Sequence, residues 1–124
     1  MLKVRNLSVT IASRPVLAGL GFAIAPGEVL GLVGESGSGK SMAALAVMGL
    51  LPHGAQASGQ VLFEGQDLLT LPEDRLCTIR GRRIGMIFQE PMTALNPVMS
   101  IGDQVAETLR IHRQMARGPA RARA

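Results

Sequence analysis

Tryptophan and tyrosine are absent from this sequence, and phenylalanine occurs only at Phe22, Phe63 and Phe88. Single-stranded nucleic acids are held by bases stacked on successive aromatic rings. Three scattered rings make no such platform, so nucleic acid is not expected as a partner. Cysteine occurs once, at Cys77. One thiol closes no internal disulfide and builds no thiolate metal site, which fits a reducing compartment. No apolar run reaches the roughly 20 residues that a membrane-spanning helix needs. What remains is a globular balance, 47% hydrophobic and 18% charged, in 124 residues, enough for one domain or part of one.

The formal net charge is +4. Much of it falls in Arg80-Gly81-Arg82-Arg83 and in the stretch from Arg110 to Arg123. A solvated basic surface is the plainer reading of both, and contact with acidic headgroups or an anionic partner is the functional one. The run Val16 to Ala25 is almost wholly apolar and ends in a small-x-small pattern, as a secretory signal does. The residues before it alternate like a strand and Pro26 follows it, so a strand is expected there. The protein is then cytosolic, or sits on a membrane through a partner.

Leu2, Val4, Val9 and Ile11 fall at even spacings within two short runs, which predicts a strand broken near Asn6. Leu20, Phe22 and Ile24 alternate, and Pro26-Gly27 closes that run with a turn. Val29 to Val33 is apolar without alternation, as is Ile84 to Phe88. Both are expected to be strands buried on two faces of a parallel sheet. Met42 to Met48 is rich in helix formers, with Pro52 and Gly54 as the stop. Val61-Leu62-Phe63 reads as a strand with Glu64-Gly65 as its turn. Thr70-Leu71-Pro72-Glu73 and Ser100-Ile101-Gly102-Asp103 resemble capping boxes that open helices. Ile101, Val105 and Leu109 mark one helical face. A proline-bounded loop runs from Gln89 to Pro97, and Gly118-Pro119 stops the last helix. The residues after it are expected to be frayed or disordered.

Between the strand ending at Val33 and the helix starting near Met42 lies Gly34-Glu35-Ser36-Gly37-Ser38-Gly39-Lys40-Ser41. This is G-x-x-x-x-G-K-S in the context that gives the motif meaning. Gly34, Gly37 and Gly39 can take positive φ, which lets successive N–H groups point into one concavity. The loop feeds a helix N-terminus, which favours an anion. Lys40 brings a full charge to the β and γ phosphates, and Ser41 offers a hydroxyl to Mg²⁺. The motif by itself means phosphate; kinases, GTPases and transport ATPases share it. A GTPase should carry Asn-Lys-x-Asp, and this sequence has none.

Three stretches resemble the ATP-binding subunit of ABC transporters. Gly27 to Ser41 looks like that family's strand and Walker A loop. Ser58 to Leu68 is similar to its G-x-I-x-F-x-G-x-D-L hairpin. Ile84 to Pro91, with Gln89 inside Phe88-Gln89-Glu90-Pro91, looks like its Q-loop. Met92-Thr93-Ala94-Leu95-Asn96-Pro97, together with Arg80-Gly81, resembles the dipeptide, oligopeptide and nickel importer branch. The resemblance extends to about Arg110 and covers only the first part of the family's domain.

The resemblance implies an α/β P-loop NTPase fold with an N-terminal antiparallel β subdomain. Residues 1–117 would be the N-terminal part of an ATP-binding domain and residues 118–124 a basic, disordered tail. ATP and Mg²⁺ would be the ligands: Gly34 to Ser41 on the phosphates, Ser41 and Gln89 on the metal, Lys40 and Gln89 in catalysis. A glutamine amide donates and accepts without charge, which suits reaching both Mg²⁺ and the attacking water. The partners implied are transmembrane permease subunits, a second ATP-binding subunit and, indirectly, a solute-binding protein, at the cytoplasmic face of the plasma membrane.

Two departures from the family matter. The aromatic that stacks on adenine in the family aligns with Ile11. No Leu-Ser-Gly-Gly-Gln signature and no strand ending in Asp-Glu follows the Q-loop. Neither His53 nor His112 sits where a switch histidine belongs, and both read as surface residues. The segment is expected to hold phosphates without cleaving them, and to fold poorly alone. An import ATPase seen in its N-terminal part is the first reading. A truncated, non-hydrolytic nucleotide-binding or interaction chain, or an ABC ATPase with another substrate, is the alternative.

Overall fold

The two even-spaced runs at the N-terminus form one strand, β1 (Leu2–Ile11), with a fault where the pattern breaks. In the computed structural model, which describes residues 1–89 and 95–124, β1 pairs antiparallel with β2 (Arg14–Ile24) and with β3 (Ala55–Phe63). Val4 faces Phe22 and Leu7 faces Leu20; on the other side Arg5 faces Gln60 and Ser8 faces Ser58. Against both neighbours β1 therefore carries one extra residue, Asn6, at φ 49°. This bulge switches the side-chain parity. Without it Val4 would share a face with Ser8; with it Val4, Leu7 and Val9 are all buried. Opposite the bulge Gly59 has φ +98°, and a Cβ there would strike the Asn6 carbonyl oxygen and lie 2.7 Å from that of Arg5.

β4 (Gln66–Asp67) completes a four-stranded antiparallel sheet in the order β2-β1-β3-β4. The β3–β4 turn is Glu64-Gly65, both at positive φ, as the tight hairpin turn requires. Leu20, Phe22 and Ile24 are half-buried and alternate with exposed neighbours along β2. Gly27, at φ 77°, turns the chain after them, with Glu28 N–H donating to the Ala25 carbonyl at 3.1 Å. The signal-like run is thus an ordinary strand. Helix α1 (Lys40–Met48) packs on β1 and β2 and buries Ala43, Ala46 and Met48. Leu7, Val9 and Val61 are buried to completion, each such side chain stabilising by about 1.5–3 kcal/mol. These elements lie in one compact unit, Met1–Leu76; Cys77–Ala124 forms another.

Several boundaries differ from expectation. α1 ends at Gly49, at φ 63°, where the Leu50 N–H donates to the Leu45 carbonyl at 2.8 Å. A left-handed glycine closes the helix before Pro52 or Gly54 is reached. Helix α2 (Glu73–Ile79) starts after Pro72, whose carbonyl accepts from Leu76 N–H. Thr70 instead donates its hydroxyl to the Asp67 carbonyl at 3.0 Å, closing a short 3-10 turn over Leu68–Thr70.

The larger correction concerns the two buried-strand candidates. Val29 to Val33 forms no strand, and Val29 and Val33 are 94% and 95% exposed. In Ile84 to Phe88 only Ile84 makes a bridge, to Arg80, and Ile87 is 93% exposed. A parallel strand is stabilised by a partner on each side and a layer on each face. Among the described residues, none pairs with Val29 to Val33, and the single Ile84–Arg80 bridge is all that meets the second run.

In the unit Cys77–Ala124, helix α3 (Ile101–Arg113) begins at Ser100 as expected. Ser100 Oγ accepts from Asp103 N–H at 3.2 Å and donates to Asp103 Oδ2 at 2.9 Å. Its buried residue is Ala106, while Ile101 and Val105 are exposed. The apolar stripe is thus not the packed face. Small residues let α3 meet a second helix, α4 (Arg117–Arg123), which buries Ala120. α4 occupies the stretch that the sequence suggested was a frayed tail. It begins at Arg117, so Gly118-Pro119 lies in its first turn, where proline is tolerated. Asp103 ties it down, accepting from Arg117 at 3.3 Å and Arg121 at 3.5 Å.

Candidate nucleotide site

The loop Gly34–Ser41 leaves the extended run after Gly27 and enters α1. Each glycine in it has its own reason. Gly37 and Gly39 sit at φ 81° and 89°, where only glycine is unstrained. Gly39 also presses on β2: a Cβ there would be 2.7 Å from the Val16 carbonyl oxygen and 3.2 Å from Leu17 Cδ1. Gly34 does not take positive φ, contrary to the sequence reading. Its requirement is room, since a Cβ would be 2.6 Å from Ser38 Oγ. The contribution of Val16 and Leu17 is not visible in the motif, because it comes from a strand about 20 residues upstream that the fold returns to the loop.

Gly39 caps α1 without a side-chain hydrogen bond, and the first helical bond runs from Ala43 N–H to the Gly39 carbonyl at 2.9 Å. The N–H groups of the first turn thus have no intrahelical acceptor. No acidic residue occupies that turn, so its positive dipole end is uncompensated. The Lys40 ammonium donates to the Gly34 carbonyl at 2.6 Å, the Glu35 carbonyl at 2.5 Å and Ser38 Oγ at 3.2 Å. Its three protons are matched by three acceptors of the same loop. Glu35 also accepts from Ser38 N–H at 3.2 Å, which bends the loop. The result is an exposed ring of backbone with a cation drawn against it and a helix N-terminus beneath it.

Such an arrangement can hold a polyphosphate. Free N–H groups take the oxygens, the lysine can exchange its carbonyl partners for phosphate, and the Ser41 hydroxyl is exposed at the second helical position. Among the described residues no group of three or more His, Cys, Asp or Glu side chains could cage a metal ion. A divalent ion here would rest on Ser41 and on phosphate and water oxygens. That donor set fits Mg²⁺, which retains waters and seldom needs an all-protein cage.

The other site candidates fall elsewhere. Gln89 is exposed at a bend in the unit Cys77–Ala124, following half-exposed Phe88. Glu90, Pro91, Met92, Thr93 and Ala94 lie outside the described residues. Beyond them, Asn96 is gripped by a residue that the sequence reading missed. Gln104 Oε1 accepts from Asn96 N–H at 2.8 Å, and its Nε2 donates to the Asn96 carbonyl at 2.9 Å and the Met99 carbonyl at 3.1 Å. A single amide so placed mimics a backbone pairing and fixes the chain entering α3. Ile11 is half-buried at the end of β1, opposite Arg14 and Ala55. His53 is exposed as expected. His112 is not a free surface residue, because its ring packs on Gly81, whose Cβ would lie 2.5 Å from Nε2.

Comparison with known proteins agrees with this geometry. Residues 17–123 match the family model described as ABC transporter. The chain is 48% identical over 116 residues to the oligopeptide transport ATP-binding protein OppD of Mycobacterium tuberculosis, covering 90% of this chain and 19% of that protein. With the OppD of Salmonella typhimurium it shares 45% identity over 124 residues, covering 97% of this chain and 37% of the other. The fold matches the dimeric structure of MJ0796, a bacterial ABC transporter cassette, with TM-score 0.80 and 26% identity over 99% of this chain and 53% of that one. A second structure of MJ0796, in a post-hydrolysis state bound to ADP and Pi, superposes equally well. The chain thus spans between a fifth and about half the length of these relatives. The phosphate loop, the antiparallel sheet beside it and the family match place this chain in the ABC transporter family.

Proposed function

We propose that residues 1–117 are the N-terminal part of the ATP-binding subunit of an importer for peptides or similar small solutes. The observation that carries this reading is the Gly34–Ser41 loop, with Lys40 held at the N-terminus of α1. In this reading the loop N–H groups and Lys40 bind the β and γ phosphates of ATP, and Ser41 bears on Mg²⁺. Mg²⁺ held there would neutralise phosphate charge. Gln89 would, by the family resemblance, bear on the metal and the attacking water. Phosphoryl transfer depends on positioning and charge stabilisation, and this chain supplies the half that positions. The likeness to the OppD oligopeptide transport ATP-binding proteins supports peptide transport, and the likeness to the dimeric MJ0796 cassette supports a second ATP-binding subunit. Import, permease subunits and a peripheral place at the cytoplasmic face of the plasma membrane are what the family resemblance adds. No helix among the described residues is long and apolar enough to cross a membrane.

A non-hydrolytic nucleotide-binding chain is the second reading. Reading the coding frame past Ala124 separates the two. The binding claim is tested by titrating the full-length protein with ATP, with and without Mg²⁺. We expect Lys40→Ala to weaken binding about ten- to a hundredfold, as loss of a charge-assisted hydrogen bond implies. Undiminished binding by that variant overturns the assignment.

A further inference from the structure

The charge of this chain is divided unevenly between its two units. Residues 1–76 hold five basic and six acidic side chains. Residues 77–124 hold eight arginines, no lysine and three carboxylates, Glu90, Asp103 and Glu107. Asp103 is already committed to Ser100, Arg117 and Arg121. The unit is therefore strongly electropositive, and only through guanidinium groups.

The fold gathers that charge. The turn of Arg80 to Arg83 is brought to the C-terminal end of α3 by the packing of His112 on Gly81. There α3 presents Arg110 and Arg113, both exposed. Arg113 and Arg123, the latter from α4, line a cavity of about 310 Å³, with Leu109 and Met115 beside them among the described residues. Neither arginine has a hydrogen bond or ion pair among the described residues. Two unpaired guanidinium groups facing one cavity repel each other, and an anion between them relieves this.

We propose that this surface docks on the anionic phospholipid face of a bilayer, with a headgroup phosphate between Arg113 and Arg123. A planar guanidinium is weakly hydrated and pairs with phosphate oxygens two at a time. Leu109 and Met115 give the apolar wall that a glycerol backbone meets. A nucleic acid fits less well. Its bases would find one aromatic side chain in the unit, Phe88, and its phosphates would leave the apolar wall uncovered. The attraction is electrostatic and falls off within a Debye length.

The test is co-sedimentation of the full-length protein with vesicles of phosphatidylcholine alone or of phosphatidylcholine with phosphatidylglycerol. We expect binding only to the mixed vesicles, weakened by salt. Arg113→Gln should lower it about fivefold and Arg113→Gln with Arg123→Gln about 25-fold, the increment expected for each basic residue at a charged surface. Lys40→Ala, which tests the nucleotide site, should leave vesicle binding unchanged. Equal binding to neutral vesicles, no loss in the double variant with its helix content intact, or displacement by free glycerol phosphate at low millimolar concentration would each overturn the proposal. Preferential binding to duplex DNA over the mixed vesicles would overturn it in favour of a nucleic-acid surface.

Discussion

The ammonium nitrogen of Lys40 lies 2.6 Å from the carbonyl oxygen of Gly34, joining the first residue of the phosphate loop to the last but one. Ser38 sits inside that clasp, with its hydroxyl 3.2 Å from the same ammonium. A Cβ on Gly34 would be 2.6 Å from Ser38 Oγ but 3.4 Å from Ser38 Cβ, which is ordinary contact. The hydroxyl alone is the obstacle. Gly34→Ala is therefore expected to displace Ser38, open the clasp and weaken ATP binding about tenfold, a loss typical of one charge-assisted hydrogen bond. Gly34→Ala combined with Ser38→Ala should recover part of that loss, because the colliding atom is gone. A calorimetric titration of the two variants decides it: no recovery in the double variant means that Gly34 is needed for its backbone and not for room.

The same residues show what could be read in advance. The phosphate loop, the hairpins and the break near Asn6 were legible because each has a local cause: glycine spacing, period-two alternation, a turn dipeptide. The reason for Gly34 was misassigned, since its neighbour Ser38 is met only after the loop folds. The inner face of α3 could not be read from its apolar residues. Ile101 and Val105 have the stronger apolar signal, yet Ala106 is the residue packed inside, because a close helix pair selects small size over hydrophobicity. Val29 to Val33 failed for another reason. Its composition reports a two-sided burial that needs strands these residues do not include.

Gly59 makes the bulge at Asn6 possible, and the cost of replacing it can be isolated. Gly59 and Gly27 both have positive φ, at 98° and 77°. Around Gly27 a Cβ meets nothing within 4 Å, whereas at Gly59 it strikes the backbone of Asn6 and Arg5. Gly27→Ala is expected to cost about 1–2 kcal/mol, the penalty of a left-handed alanine. Gly59→Ala should exceed it by at least another 1–3 kcal/mol, since two strands must separate. Urea denaturation of the full-length variants gives both values. Equal costs would show that the bulge moves freely to accommodate a side chain.

Acidification should release α4 from α3. The Ser100 hydroxyl, then the Arg117 hydrogen bond, hold the Asp103 carboxyl below its ordinary value of 3.8; desolvation opposes them, and the charges of Arg117 and Arg121 add lesser shares. A depressed carboxyl contributes stability that is complete above the ordinary value and lost as pH falls below it through the folded value. Both arginine side chains are mostly exposed, so salt screens their share and leaves the Ser100 bond. The Ser100 bond lies within α3, so the two arginine pairs are what reach α4. Protection of α4 amides, taken relative to intrinsic exchange at each pH, is expected to fall below about pH 4 and to weaken with added salt at about pH 6. Asp103→Asn should abolish the acid step. If exchange in that variant keeps the same pH dependence, Asp103 is not the group responsible.

Val33 offers a test of context. Within these residues it is 95% exposed, and a substitution at such a surface position ordinarily changes stability by no more than about 0.5 kcal/mol. The relatives are two to five times longer than this chain, and the unbroken apolar run through Val33 is of the kind that parallel strands bury on both faces. An uncompensated charge buried there costs about 3 kcal/mol or more. Val33→Asp should thus destabilise the full-length protein by that larger amount, well beyond what a surface position shows. Thermal melts of the full-length protein with and without the substitution make the comparison. A loss within about 0.5 kcal/mol would mean that the phosphate loop is entered from an exposed segment and not from a central strand.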